Sequence, residues 1–144
     1  MKILQLCAHS NWWSNKHRVE SHDLILGKNI FDLPLDYGKQ FDLIISAPPC
    51  DQFTKASSWK WEDYPGQFIK IALHCLNIQI TSGKLWVMES VPGRIATFIP
   101  ILKNYRITTW MSQTTHKTHI LYGNFIILVN SLNHSKCRTY RPIS

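Results

Sequence analysis

The residues best equipped for chemistry in this chain are a cysteine and a glutamate. Cys50 follows two prolines in A-P-P-C-D-Q-F, directly after the apolar run D-L-I-I-S. Proline fixes its own φ and restricts the residue before it, so a Pro-Pro pair makes a stiff, extended lead-in. A thiol held in one place has little entropy to lose on attack, which suits a nucleophile. On P-P-C alone, a small buried cysteine in a turn is the commoner reading. Glu89 closes a second apolar run in K-L-W-V-M-E-S-V-P-G. A carboxyl there is either a solvated strand end or an acid–base group, and the presence of Cys50 favours the second. A third polar stretch, S-Q-T-T-H-K-T-H, offers Lys117 and His119. Its ordinary reading, a polar strand face, stands level with the functional one. His116 and His119 have ligand-like spacing, but no third ligand stands near them and no metal site is expected.

Read together, these segments acquire a common sense. D-L-I-I-S-A-P-P-C-D-Q-F-T resembles the catalytic-loop motif D-x-x-x-x-x-P-P-C-x-x-F-S of the cytosine-C5 methyltransferases, with Thr54 where that family has serine. W-V-M-E-S-V-P-G resembles their E-N-V motif, with Ser90 for asparagine. S-Q-T-T-H-K-T-H-I-L-Y-G-N-F is similar to their Q-S-R-x-R strand, with threonine, histidine and lysine in the region of the two arginines. Three motifs in the family's order carry far more weight than one. The resemblance spans about residues 41–125 and is closest to small, phage-type members that lack a target-recognition domain.

The resemblance implies a mechanism. C5 of cytosine is a poor nucleophile; a thiolate adding to C6 turns the ring into an enamine that accepts a methyl group from S-adenosylmethionine. Cys50 would be that thiolate. Glu89 would hydrogen-bond the N3 edge, at least partly protonated, with burial raising its pKa. Lys117 or His119 would hold the base's carbonyl oxygen. The cofactor would lie against Leu6, Cys7 and Ala8 after the first strand, Asn29 in G-K-N-I, and Pro48. This half departs from the family. Its Phe-x-Gly-x-Gly loop is L-C-A-H-S-N-W-W-S-N here, without a glycine, and Asn29 replaces an adenine-contacting aspartate. Side chains of His9, Asn11 and Trp12 would fill cofactor space. Two functions therefore remain in view. One is a minimal cytosine-C5 methyltransferase. The other is an inactive methyltransferase-like protein that binds nucleic acid, a nucleotide or a host defence component.

Around the thiol, Trp59, Trp61 and Tyr64 interleave with Lys55 and Lys60, and Arg94 follows E-S-V-P-G. Aromatic faces beside cations suit an unpaired base and its backbone, while packing of a long loop is an equal alternative. Arg94 suits a phosphate or a carboxylate.

The elements that must place these groups follow from periodicity. Strands are expected at 2–8, 22–26, 41–46, 84–89, 105–111 and 118–129, the last a pair or one strand broken at Gly123-Asn124. Residues 11–21 make at best a short helix, and 51–64 a long loop. A helix runs from Pro65 to Ser82-Gly83, with Phe68, Ala72, Cys75, Leu76 and Gln79 on its inner face and Ile69, Leu73 and Ile80 widening it. A short helix within 94–103 is limited by Pro100. Alternating strand and helix argue an α/β fold with a mostly parallel sheet, whose ligands sit beyond the strands' carboxyl ends. The resemblance sharpens this to a three-layer, Rossmann-like class I methyltransferase fold with a shortened N-terminal half. It would occupy residues 1–130, ahead of a basic polar tail at 131–144 that is expected to fray.

The 144 residues suit one domain, and 44% hydrophobic against 17% charged content describes a folded, soluble protein. A net charge of +7 favours an anionic partner, nucleic acid and DNA first, with a partner chain or a homo-oligomer also in view. The apolar runs are too short to span a bilayer, and M-K-I-L-Q-L-C-A reads as a strand rather than a signal peptide. The four dispersed cysteines suggest neither zinc nor a disulfide framework, so reduced thiols in a cytoplasm are expected.

Overall fold

The apolar runs I-L-Q-L, L-I-I-S and L-W-V-M-E-S become the middle of one sheet, in a computed structural model that describes residues 1–7, 18–22, 29–111, 117–125 and 139–140. The strands are β1 (Lys2–Leu6), β2 (Arg18–His22), β3 (Leu43–Ser46), β4 (Leu85–Ser90), β5 (Arg106–Met111), β6 (Thr118–Gly123) and β7 (Thr139–Tyr140). The helices are α1 (Gly66–Ser82) and the single turn α2 (Ile95–Phe98), with 3₁₀ segments at 30–32, 37–40, 55–60 and 100–105.

The order across the sheet is β2-β1-β3-β4-β6-β5-β7. From β2 through β4 all pairings are parallel. β6 then runs antiparallel to both β4 and β5, and β7 antiparallel to β5. The fold is thus α/β with a mixed sheet. The reversal has a simple cause: a parallel return needs a crossover of a dozen or more residues, and only 112–117 separate β5 from β6.

Side chains alternate across the strands. Leu4, Leu6, Ile44, Trp86, Met88 and Tyr122 share one buried cluster with Ala72, Cys75, Leu76 and Ile78 of α1 and with Ile95, Ile99 and Leu102. Ile3, Gln5 and Ile45, on the opposite face, are buried too. Among the described residues the helices pack on the first face only, so the second helical layer of the expected three-layer arrangement is not among them. No helix among the described residues is long and apolar enough to cross a membrane.

α1 begins directly after Pro65 and ends at Gly83, whose φ of 66° is the left-handed stop expected of Ser82-Gly83. Its inner face is Ile69, Ala72, Cys75, Leu76, Ile78, Gln79 and Ser82; Leu73 and Ile80, expected to widen that face, are exposed instead. The fully buried Gln79 reaches the sheet. Its amide donates to the carbonyls of Ile44 (3.0 Å) and Val87 (2.9 Å), and its oxygen accepts from the Ser46 hydroxyl at 3.0 Å. One helical side chain thereby ties β3 to β4.

Two expectations change place. The second strand is R-V-E-S-H at 18–22, in a stretch read as at best helical, whereas most of the expected strand 22–26 lies outside the described residues. Within the tail expected to fray, Thr139–Tyr140 pairs with β5.

Candidate functional site

β3 delivers the chain to Ala47-Pro48-Pro49-Cys50 at the carboxyl end of the parallel strands. Pro48 is buried and Cys50 half-buried. The Cys50 carbonyl accepts the N–H groups of Phe53 (2.8 Å) and Thr54 (2.9 Å), which closes a tight turn behind the thiol. Phe53 then anchors the turn. Its ring is fully buried, in edge or tilted contact with Phe68 of α1 and Phe98 of α2. The prolines stiffen the approach to the thiol, and the phenylalanine fixes the exit.

The segment after β4 clasps this turn. The Arg94 N–H donates to the Phe53 carbonyl at 2.9 Å, the Lys55 N–H donates to the Pro92 carbonyl at 3.1 Å, and Thr54 bridges Gly93. A Cβ on Gly93 would lie 1.5 Å from the Phe53 carbonyl oxygen. No side chain fits there, so the glycine of E-S-V-P-G is a condition for placing Cys50.

β4 brings Glu89 to the same rim, and β6, running the other way, brings its first residues there. His119 Nδ1 lies 2.6 Å from Glu89 Oε1, with the two side chains 19% and 23% exposed. The thiol feels both neighbouring strands. Burial raises the Cys50 pKa above the ordinary thiol value, the adjacent Asp51 raises it further, and the thiol's own backbone N–H lowers it. Glu89 raises it as well, and Lys117 lowers it. Glu89 and Lys117 are thus close enough for their charges to act on the Cys50 thiol. His119 faces the carboxyl. Lys117 or His119 was expected to hold a base oxygen; His119 is a polar neighbour of Glu89, so that carboxyl is not enclosed by apolar burial alone.

The loop after Cys50 divides into inward and outward parts. Trp61 is half-buried and donates its indole N–H to the Thr54 carbonyl at 3.1 Å. Arg94 stacks over Trp61 and Phe98, at 4.4 and 5.0 Å from the ring centroids, and donates to the Gln52 carbonyl at 2.8 Å. Both residues were expected at a nucleic-acid interface. Both are half-buried, and the planar Arg94 guanidinium satisfies a carbonyl and two aromatic faces at once. Gln52 completes the frame by donating to the Lys60 carbonyl (3.0 Å) and accepting the Glu62 N–H (2.8 Å). On this frame Trp59 stands 80% exposed, with the Lys60 ammonium 4.7 Å from its ring centroid; Tyr64 is 70% exposed and Lys55 is exposed. Asp51, Glu62 and Asp63 are exposed in the same loop.

Those of the positions implied for S-adenosylmethionine that are described are engaged within the protein. The Leu6 side chain is fully buried in the core. Cys7 is buried with its sulfur 3.8 Å from that of Cys75, and its N–H donates to the His22 carbonyl at 2.8 Å. The Leu6 carbonyl accepts the Ala47 N–H at 3.1 Å. Asn29 caps the following 3₁₀ turn, its side-chain oxygen accepting the Phe31 N–H at 2.9 Å. Pro48 is buried and has no N–H to donate. Ala8, His9, Asn11, Trp12 and His116 lie outside the described residues. Cys7 adopts φ 57°, a conformation glycine takes far more readily.

Sequence reasoning missed Gln52 and Gly93 as parts of the site. Gln52 carried no signal, because its partners are eight or more residues away. Gly93 was legible only as a turn residue. No family model matches the chain, and no curated protein matches it.

Proposed function

We propose that the chain is a cytosine-C5 methyltransferase-like protein that acts on a cytosine of nucleic acid, with DNA the first candidate. Its sheet would be a Rossmann-like class I methyltransferase sheet shortened in its N-terminal half. What supports this reading is that Cys50 follows β3 and Glu89 lies on its parallel neighbour β4, with the charges of Glu89 and Lys117 both acting on the thiol. In this reading the Cys50 thiol loses its proton and the thiolate forms a bond to C6. The displaced ring electrons move toward N3 as Glu89 donates a hydrogen bond there. Lys117 favours the anionic sulfur, and the clasp at Gly93 holds it in line. S-adenosylmethionine would supply a methyl group to C5 in the family this chain resembles. The described residues implied for that group are engaged within the protein, so the addition to the base is the better supported half of this reading.

The glycine-free segment after β1 favours a second reading, an inactive methyltransferase-like protein that keeps the base crevice and binds nucleic acid, a nucleotide or a host defence component. One pair of assays separates the two. Thiol addition without methyl transfer lets the C5 hydrogen exchange with solvent, because the enamine takes a proton at C5 and elimination returns the base. Oligonucleotides tritiated at C5 report that exchange. Strands carrying 5-fluorocytosine, with S-adenosylmethionine present, become covalently trapped only if a methyl group is also transferred. Exchange plus trapping identifies the enzyme. Exchange alone identifies an addition-competent protein without a cofactor. If both are absent with DNA and with RNA, the thiol chemistry is refuted.

A further inference from the structure

The four cysteines stand far apart in the sequence, and no C-x-x-C hints that any two meet. The fold brings two of them together. Cys7, directly after β1, and Cys75, in α1, belong to one buried cluster, and their sulfurs lie 3.8 Å apart across 68 residues of chain. Both are thiols, and neither takes part in the chemistry proposed above. The two positions are firmly held. The Cys7 N–H donates to the His22 carbonyl at 2.8 Å, and Gln79, one helical turn beyond Cys75, ties α1 to β3 and β4. Cys7 is also the one described residue other than glycine with a positive φ, 57°. A side chain in that conformation bears a local cost that glycine would not. We propose that Cys7 and Cys75 are a buried dithiol that a hydroperoxide converts into a disulfide, locking the carboxyl end of β1 to α1. The proposal goes beyond the cytosine reading and does not depend on it.

A disulfide needs its sulfurs about 2.0 Å apart. From 3.8 Å they must close by roughly 1.8 Å, less than about 1 Å each. Small rotations about the two Cα–Cβ bonds are on that scale. The reaction has an order, because Cys7 is 8% exposed and Cys75 0%, so the oxidant meets Cys7 first. The Cys7 sulfur gives its proton to solvent and attacks one oxygen of hydrogen peroxide. The O–O bond breaks, and the other oxygen leaves as hydroxide and takes up a proton to become water. Cys7 is then a sulfenic acid. The Cys75 sulfur attacks it, the S–S bond forms, the S–O bond breaks, and the hydroxyl leaves as water with the Cys75 proton. Two thiols have lost two electrons and two protons, and the peroxide has been reduced to two waters. The new bond restricts the unfolded chain far more than the folded one. It also anchors the start of the segment that the resemblance assigns to the methyl donor.

The test uses the full chain. The protein is treated with hydrogen peroxide, remaining thiols are blocked with N-ethylmaleimide, and disulfides are mapped by peptide mass without reduction, once folded and once in urea. In the folded chain the link to Cys75 should account for most of the disulfide-bonded Cys7. In urea Cys7 chooses among three partners, and that link should fall to a minor share. Equal shares in the two conditions overturn the proposal, as does recovery of Cys7 and Cys75 unlinked from the folded chain. Cys50→Ser with Cys137→Ser removes the competing thiols. Peroxide-treated, this double variant should unfold at least about 5 °C above its reduced form, and dithiothreitol should abolish the difference. Adding Cys75→Ser should leave no shift. Absence of a reversible shift in the double variant, or the same shift without Cys75, overturns the proposal.

Discussion

Cys50 begins as a weak nucleophile. Burial and the neighbouring carboxylates keep its proton on, so at neutral pH the thiolate is the minor form. Alkylation of Cys50 by iodoacetamide should therefore be slower at pH 7.5 than that of a free thiol, and should keep rising above the ordinary thiol pKa. Asp51→Asn removes the second-largest of the causes that raise the pKa, and should speed alkylation at pH 7.5 a few-fold, read by peptide mass; an unchanged rate removes Asp51 from the account. Gly93→Ala tests the clasp. The turn must move to admit a methyl group, so a loss of about 1–3 kcal/mol in urea unfolding is expected, together with altered Cys50 alkylation. The thiol and its prolines were legible because their meaning is local, in adjacent residues. Gly93 was not, because its role depends on a carbonyl forty positions earlier in the chain.

At the scale of elements, α1 matters for one polar residue as much as for its apolar face. Gln79→Leu keeps the volume and removes three hydrogen bonds, leaving two backbone carbonyls and a hydroxyl unmatched in the core. A cost of about 1–3 kcal/mol per stranded group sets the scale, and chemical denaturation reads it. Periodicity placed Gln79 on the inner face correctly and said nothing of what it would hold. β2 escaped sequence reading for a related reason. R-V-E-S-H has a strand's alternation but little apolar content, and its polar side chains are matched by distant partners. The Glu20 carboxylate accepts from the Tyr37 hydroxyl and contacts His22 at 2.7 Å. The Tyr37 pKa is pushed from 10.0 to about 12, first by that hydrogen bond. Below pH 10 the tyrosine is protonated in folded and unfolded chains alike, and the bond contributes fully. Between pH 10 and about 12 the unfolded chain releases the proton while the folded one keeps it, so stability must fall across that window. Tyr37→Phe should flatten the decline in thermal scans; an equal slope in the variant would assign the decline elsewhere.

For the molecule as a whole, the charge of +7 and the outward Trp59 are the features that the proposed nucleic-acid reading would use. Binding of a single-stranded oligonucleotide should weaken steeply with salt. Trp59→Ala should reduce affinity by about 1–3 kcal/mol, the worth of one stacked base, by fluorescence anisotropy. Asp51, Glu62 and Asp63 in the same loop limit where phosphates can run, so the salt dependence should come mainly from lysines and arginines elsewhere. The α/β class was readable from alternating strands and helices. The mixed sheet needed one more step, the shortness of the chain between β5 and β6. That reversed strand also dictates an order of events on the ribosome. When the first hundred residues have emerged, the thiol and the acid are both made, yet one side of β4 has no neighbour. β5, once made, has no place to dock until residues 118–123 arrive to lie between them. A nascent chain stalled before that point exposes a row of unpaired backbone groups at the heart of the sheet, and it carries a thiol whose cationic neighbour has yet to be synthesised.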